Sequence, residues 1–384
     1  MEERLRRRIL VPLVLAVATG VVALVAVALA PPGSSGPGGL ASPSASSDDC
    51  SPGFRRRAAE VARSTWFTFR ERGDANGSLV GHVLRVAQSD SGAMAAVELP
   101  TEAFADGPYD GGALVGSDDG EETALRFVVP GGCTRVLQRT TEVILRRATI
   151  TPDERELVTF RLERGTRADR GVWIAPIHEP DAARQLLPPL PPSDDFGVTY
   201  ATTLRWSEDG RLVVESCGQS ECRFRVVDPA SGESVTIDDR GYDQAVGLIG
   251  DRLYLVAACG ARPCPIVERD VRTGATREVI PDALSATLVA RGQRAWLVAS
   301  VYTGPTTGLK IVDLDGGRPR PLPLPLLAAG LALVVDGPGG STGLPRGWIA
   351  LAPEGRLPDP VAGGRLFAFD VESSRLASLL GGRP

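Results

Sequence analysis

Six cysteines, Cys50, Cys133, Cys217, Cys222, Cys259 and Cys264, carry the clearest chemical pattern in this chain. Four of them form two C-G-x-x-x-C units that stand 42 residues apart. In each unit the cysteines flank a four-residue turn between two apolar, strand-like runs. Facing positions across such a hairpin lie within disulfide reach. Cys50 and Cys133 remain, and would tie an early segment to an early hairpin. An even count in an exported chain reads as a disulfide framework. The competing chemistry is one zinc held by four thiolates, two from each unit. Zinc ligands usually come as C-x-x-C, and an oxidising compartment disfavours free thiols. No metal ligand is therefore assigned.

Catalytic candidates are few. The only two histidines are His82 and His178, each beside a strand edge or turn. No helical H-E-x-x-H occurs, and no G-x-S-x-G elbow in a strand-turn-helix context. The segment from Glu102 to Glu122 holds Asp106, Asp110, Asp118, Asp119, Glu121 and Glu122 among glycines. Its spacing does not match an EF-hand loop, so a solvated inter-strand loop is expected in place of a calcium site. Asn76-Gly77-Ser78 spells a glycosylation sequon, which matters only in a glycosylating host. No catalytic residue and no cofactor are assigned.

The elements that carry these residues are short. Apolar residues make up 43% of the 384 and charged residues 23%, as in a globular protein. The 44 glycines and 31 prolines fall mostly between apolar runs, as many short strands with tight turns require. A net charge of −5 argues against nucleic acid as a partner.

Residues 1–8 carry Arg4, Arg6, Arg7 and Arg8 ahead of an uncharged run of 22 residues, Ile9 to Ala30. That run is long enough to cross a bilayer as a helix, and the flanking arginines place residues 1–8 in the cytoplasm. The alternative is a cleaved signal peptide ending at Ala28-Leu29-Ala30, which would leave a secreted protein. The run exceeds the usual signal length and Pro31 follows the site, so a single-pass anchor is the preferred reading. Residues 31–49 are rich in Pro, Gly and Ser and read as a tether. Residues 50–384 are then an extracytoplasmic domain, opening on a short helical pattern in the run from Phe54 to Ser64.

Within that domain one unit recurs. LRWSEDGRLVVESCGQSECRFRVVDPASGESVTI, VGLIGDRLYLVAACGARPCPIVERDVRTGATREVI and LVARGQRAWLVASVYTGPTTGLKIVDLDGGRPRPL each hold four strand-like runs. The last hairpin of the unit recurs at 82–99, 124–137, 171–187, 223–237, 266–280, 309–322 and 365–379. Gly92, Gly132, Pro180, Gly232, Gly274, Gly316 and Ser373 mark its turns. Four short strands at a period of about forty residues are the signature of a propeller blade. The fold class is all-β, a seven-bladed β-propeller. The stretch between Leu99 and Ala124 looks too short for two strands, which leaves six blades open, with the first hairpin as a packing strand.

The turn Thr151-Pro152-Asp153, together with SEDG at 207–210, resembles the SPDG-type turn of TolB-like and WD40-like β-propeller repeats. That resemblance implies protein partners in the cell envelope. Tryptophans 66, 173, 206, 296 and 348 are expected mainly in the core, and Arg85, Arg126 and Arg225 on an exposed blade face. LPPLPPSDD at 187–195 and RPLPLPLL at 320–327 read as rigid links. The functional expectation is a membrane-anchored binding or scaffolding module. The alternative is a hydrolase or lyase with its site at the channel mouth.

Overall fold

The computed structural model describes residues 53–380 apart from 110, 192–200, 219–221, 238–240, 261–262, 304–305, 325–329, 337–339, 354 and 360–363. The expectations for the anchor, the tether and Cys50 lie outside the described residues. Among the described residues no helix is long and apolar enough to cross a membrane.

The structure is all-β. Strands β1 (Thr65–Gly73), β2 (Leu79–Gln88) and β3 (Met94–Leu99) are followed by β4 (Glu102–Tyr109), β5 (Gly112–Asp118), β6 (Thr123–Val128) and β7 (Thr134–Thr140). Next come β8 (Val143–Ile150), β9 (Glu156–Glu163), β10 (Asp169–Pro176) and β11 (Arg184–Leu187), then β12 (Ala201–Trp206), β13 (Leu212–Cys217), β14 (Cys222–Val227) and β15 (Ser234–Ile237). The chain continues through β16 (Tyr242–Ile249), β17 (Arg252–Ala257), β18 (Cys264–Asp270), β19 (Thr276–Arg291), β20 (Arg294–Thr303), β21 (Thr306–Asp313) and β22 (Arg320–Pro321). It ends with β23 (Ala332–Val334), β24 (Gly340–Thr342), β25 (Trp348–Ala352), β26 (Leu366–Asp370) and β27 (Leu376–Leu380).

These strands form antiparallel four-stranded sheets in chain order, β4–β7, β8–β11 and β12–β15 among them. Strands β16 to β22 make one seven-stranded sheet, because β19 serves two groups. Its first part pairs with β18, and from Ala283 to Arg291 it pairs with β20. The sheet of β1, β2 and β3 takes its fourth strand from far along the chain, since β24 pairs with β1 through Trp66↔Thr342. The remaining sheet is β23-β25-β26-β27.

Each sheet packs its apolar faces against the next. Phe67, Leu84 and Val86 of the first sheet meet Ala113, Val115 and Val128 of the second. Val158 and Phe160 meet Leu212 and Val214, and Val298 and Ile311 meet Leu351 and Phe367. The series closes on itself, because Trp66 and Ala87 pack with Trp348, Leu366 and Ala368 of the last sheet. A ring of radial sheets with a core between each neighbouring pair is a β-propeller.

Two side-chain turns repeat and explain why the strands end where they do. At the third-to-fourth-strand hairpins, Asp228, Asp270 and Asp370 each accept the amide two residues on. Gly232, Gly274 and Ser374 then return their amides to those aspartate carbonyls at 2.8–2.9 Å. Gly232 and Gly274 have φ of 76° and 74°, a left-handed conformation that glycine adopts without cost. Between first and second strands, Thr151 and Ser207 accept the amides of Glu156 and Arg211 and donate to Asp153 and Asp209.

Several expectations need correction. All the recurring hairpins form, but Leu99–Ala124 does hold two strands, β4 and β5, which pair with each other. Much of the acidic segment is therefore strand, while Asp119, Glu121 and Glu122 lie in the loop between β5 and β6. The first hairpin is part of a full sheet once β24 is counted. Only a 3-10 turn, Val61–Arg63, forms where a helix of two or three turns was expected. Residues 54–58 instead form no regular element, and their side chains contact partners far along the chain. Arg225 is buried and donates to the carbonyl of Pro188, and Arg85 pairs with Asp359, so neither lies on a solvated face.

Candidate functional site

The first strands of the sheets, β24, β4, β8, β12, β16, the later part of β19 and β23, surround a cavity of about 490 Å³ on the axis of the ring. Its volume lies within the range of small-molecule sites. On β12, Leu204 joins an inter-sheet core and, with Arg205 and Trp206, borders the cavity.

One end of the cavity is crossed by the segment that leads into β1. Phe54 meets the Phe127 ring edge-on, with centroids 5.1 Å apart. Arg55 pairs with Glu154, and the amide of Ala58 donates to Gly343 at 3.0 Å. Arg56 lies 2.7 Å from Asp106, and Tyr109 donates to the same carboxylate at 2.6 Å. Arg56 also donates to Thr149, which accepts from the Trp206 indole at 3.2 Å. This network ties the segment to three consecutive first strands. Burial and the neighbouring Asp106 push the Tyr109 phenol above its ordinary range, so it stays a neutral donor. Arg57 and Arg346 hold the two oxygens of Glu208 at 2.7 and 2.9 Å, bridging the axis at this end.

Around the remainder of the cavity stand Arg147, Arg205 and Asp336. Arg147 lies over the Phe104 ring, 5.6 Å from its centroid, and burial lowers its affinity for a proton. Asp336 accepts the amide of Thr342 at 2.8 Å. Burial raises the Asp336 carboxyl above the usual range, against the hydrogen bonds from Thr342 and Ser341 and the charges of Arg205 and Arg57. It is partly buried and borders the cavity. Glu215, behind Arg205 on β13, is also raised by burial and accepts the amide of Ala245 at 2.8 Å.

Most residues singled out in the sequence are elsewhere. Cys217 is bridged to Cys222 and Cys259 to Cys264, which removes the thiolates a zinc site needs. Cys217 and Cys222 are direct register partners of β13 and β14. Cys133 is also disulfide-bonded. His82 stacks on Phe69 and reaches the Pro100 carbonyl, and His178 is exposed on a turn. Asp118 of the acidic segment is bound by Thr123 and Arg164. Trp66, Trp296 and Trp348 are core residues, while Trp206 borders the cavity.

The cavity residues escaped the sequence because their signal is positional. Arg147 and Arg205 lie on first strands, Asp336 between β23 and β24, and Arg56 and Arg57 ahead of β1, and only the assembled ring brings them together. Gly339-Gly340-Ser341-Thr342-Gly343 spells G-x-S-x-G, a match also missed. Ser341 borders the cavity beside Asp336, but it lies in β24, which leads into β25 and not into a helix.

No known family profile matches the chain, and no curated protein does. Solved structures that it resembles are TolB and other propeller proteins. TolB from Acinetobacter baumannii is 15% identical over 68% of this chain and 66% of that one, with a TM-score of 0.41. The β-propeller domain of the Trilobed protease from Pyrococcus furiosus is 10% identical over 82% and 92%, with a TM-score of 0.41. Oligopeptidase B from Trypanosoma brucei is 14% identical over 81% of this chain, which spans about half (48%) of that one, with a TM-score of 0.49.

Proposed function

We propose that this chain is a membrane-anchored, extracytoplasmic, seven-bladed β-propeller that acts as a binding or scaffolding module in the cell envelope. The axial cavity, bordered by the first strand of every sheet and by a cluster of arginines and carboxylates, carries the reading. The count of seven is supported by the sheet order, with β19 shared between two blades and β24 completing the first. The bridged hairpins support an oxidising compartment. In this reading residues 9–30 span the membrane, residues 1–8 remain cytoplasmic and residues 31–49 tether the propeller, whose partner is an envelope protein or ligand.

A second reading, a hydrolase or lyase using the same cavity, is favoured by one observation. Asp336 and Glu215 hold carboxyls above their ordinary range near Arg205, as proton-transfer sites do. Neither histidine is near them to complete a familiar pair.

A non-reducing peptide map of the protein purified from membranes tests the proposal. Met1–Ala30 retained together with bridged Cys217–Cys222 is the expected result. A chain beginning near Pro31 would make the protein secreted. Free thiols on both hairpins would place the domain in a reducing compartment and overturn the reading.

A further inference from the structure

We propose that the axial cavity binds a small molecule through a carboxylate or phosphate group held by Arg205, with Arg147 supplying a second positive charge. This rests on the reading of the cavity as the binding site.

Four arginines border the cavity, Arg56, Arg57, Arg147 and Arg205, against three carboxylates, Asp106, Glu208 and Asp336. Arg56 pairs with Asp106 and Arg57 with Glu208, both at 2.7 Å. Arg205 is different. Its guanidinium forms no ion pair among the described residues and acts on Asp336 and Glu215 through its charge alone. The carboxylates that feel its charge, Asp336 and Glu215, take their hydrogen bonds from Thr342 and from Ala245. A guanidinium is always charged and presents its donors as a planar fork that fits two oxygens of one anion. With no carboxylate holding it, the outer donors of this fork at the cavity wall are free to turn to a bound anion.

Arg147 adds to the same field. It borders the cavity, Arg146 adjoins it in sequence, and Asp106, which acts on it, also pairs with Arg56. Burial of Asp336 favours its neutral form, which leaves the positive charge of Arg205 less compensated. A shielded cavity with excess arginine concentrates anions and strengthens each contact to them. The volume of about 490 Å³ suits a small acid or a phosphorylated small molecule.

Titration calorimetry of the full chain in detergent tests this, using inorganic phosphate, citrate and glucose in separate runs at constant ionic strength. Saturable binding of phosphate, citrate or both is expected, and which of them binds assigns the anion. Arg205→Gln should weaken that binding by about tenfold to a hundredfold, the range for hydrogen bonds to a charged group, with Arg205→Lys in between. Arg155→Ala, on an exposed turn, should bind as the parent does. If Arg205→Gln does not fold, as read by far-UV circular dichroism, Arg147→Gln reports the same loss. Anion binding unchanged in the variants would mean a diffuse ionic effect and overturn the proposal, as would glucose binding alone or no binding by either anion. Glucose binding alone would still leave the cavity a binding site, so the two readings fail separately.

Discussion

Phe104 lies directly across from Gly116 in the register of β4 and β5, and its ring occupies the space a side chain at Gly116 would need. A methyl group there would come 2.1 Å from the ring's Cε1. Phe104 is 3% exposed and carries Arg147 over its face, so this glycine shapes the cavity wall from behind. Gly116→Ala should destabilise the protein by about 1–3 kcal/mol through overpacking. A urea titration followed by far-UV circular dichroism checks it. An unchanged midpoint would show that the ring shifts freely.

The two hairpin disulfides close very short loops, each with a sequence separation of 5. The chain-entropy argument gives about 2 kcal/mol for a loop that small. The ladder of β13 and β14 already holds Cys217 opposite Cys222. Cys217→Ser with Cys222→Ser should therefore lower the thermal midpoint by a few degrees at most and leave the fold intact. Loss of the folded far-UV signal would mean that the bridge, and not the ladder, sets this hairpin.

What the sequence disclosed follows from the length scale of each signal. The hairpins at 223–237 and 266–280 are local: alternation over a few residues and a glycine at the turn define them, and both form. The aspartates that fix those turns, Asp228 and Asp270, are also legible once the D-x-x-[ST]-G spacing is noticed. Strand β24 is not, because three residues have too little pattern and their partner, β1, lies more than 270 positions earlier. The cavity residues fail for the same reason. Arg205 and Asp336 stand 131 positions apart, and only closure of the ring puts one within the field of the other.

Ion pairs in this structure are of unequal worth. Arg164 reaches Asp118 at 2.9 Å, with side-chain exposures of 20% and 8%. Burial alone would push the Asp118 carboxyl up, but hydrogen bonds from Thr123, Arg164 and Gly120 hold it below the usual range. Asp118→Asn should cost about 2–4 kcal/mol, since it leaves a largely buried guanidinium with only carbonyl and hydroxyl partners. Arg155→Ala breaks a pair that is 83% and 57% exposed and should cost about 0.5 kcal/mol or less. Urea midpoints of the two variants, measured together, test the contrast. Equal losses would refute the assignment of the Asp118 pair to the inter-sheet core.

Asp336 gives stability a pH dependence opposite to that of Asp118. Its carboxyl is raised in the folded protein by burial, so the folded state holds the proton at pH values where the unfolded chain has released it. Stability then falls as pH rises from the ordinary carboxylate range through the raised one, because the unfolded state binds fewer protons. Asp336→Asn keeps an acceptor for the Thr342 amide and removes the titration. In phosphate-free buffer its urea midpoint should therefore gain on that of the parent as pH increases, and level off once the folded parent has ionised. For Asp118, lowered in the fold, the stabilisation is present at neutral pH and is lost as pH falls, so Asp118→Asn should approach the parent only in acid. A difference between Asp336→Asn and the parent that shrinks with rising pH would mean that the Asp336 carboxylate is satisfied as an anion. The guanidinium of Arg205 would then be its partner in solution, and would not be available to a ligand.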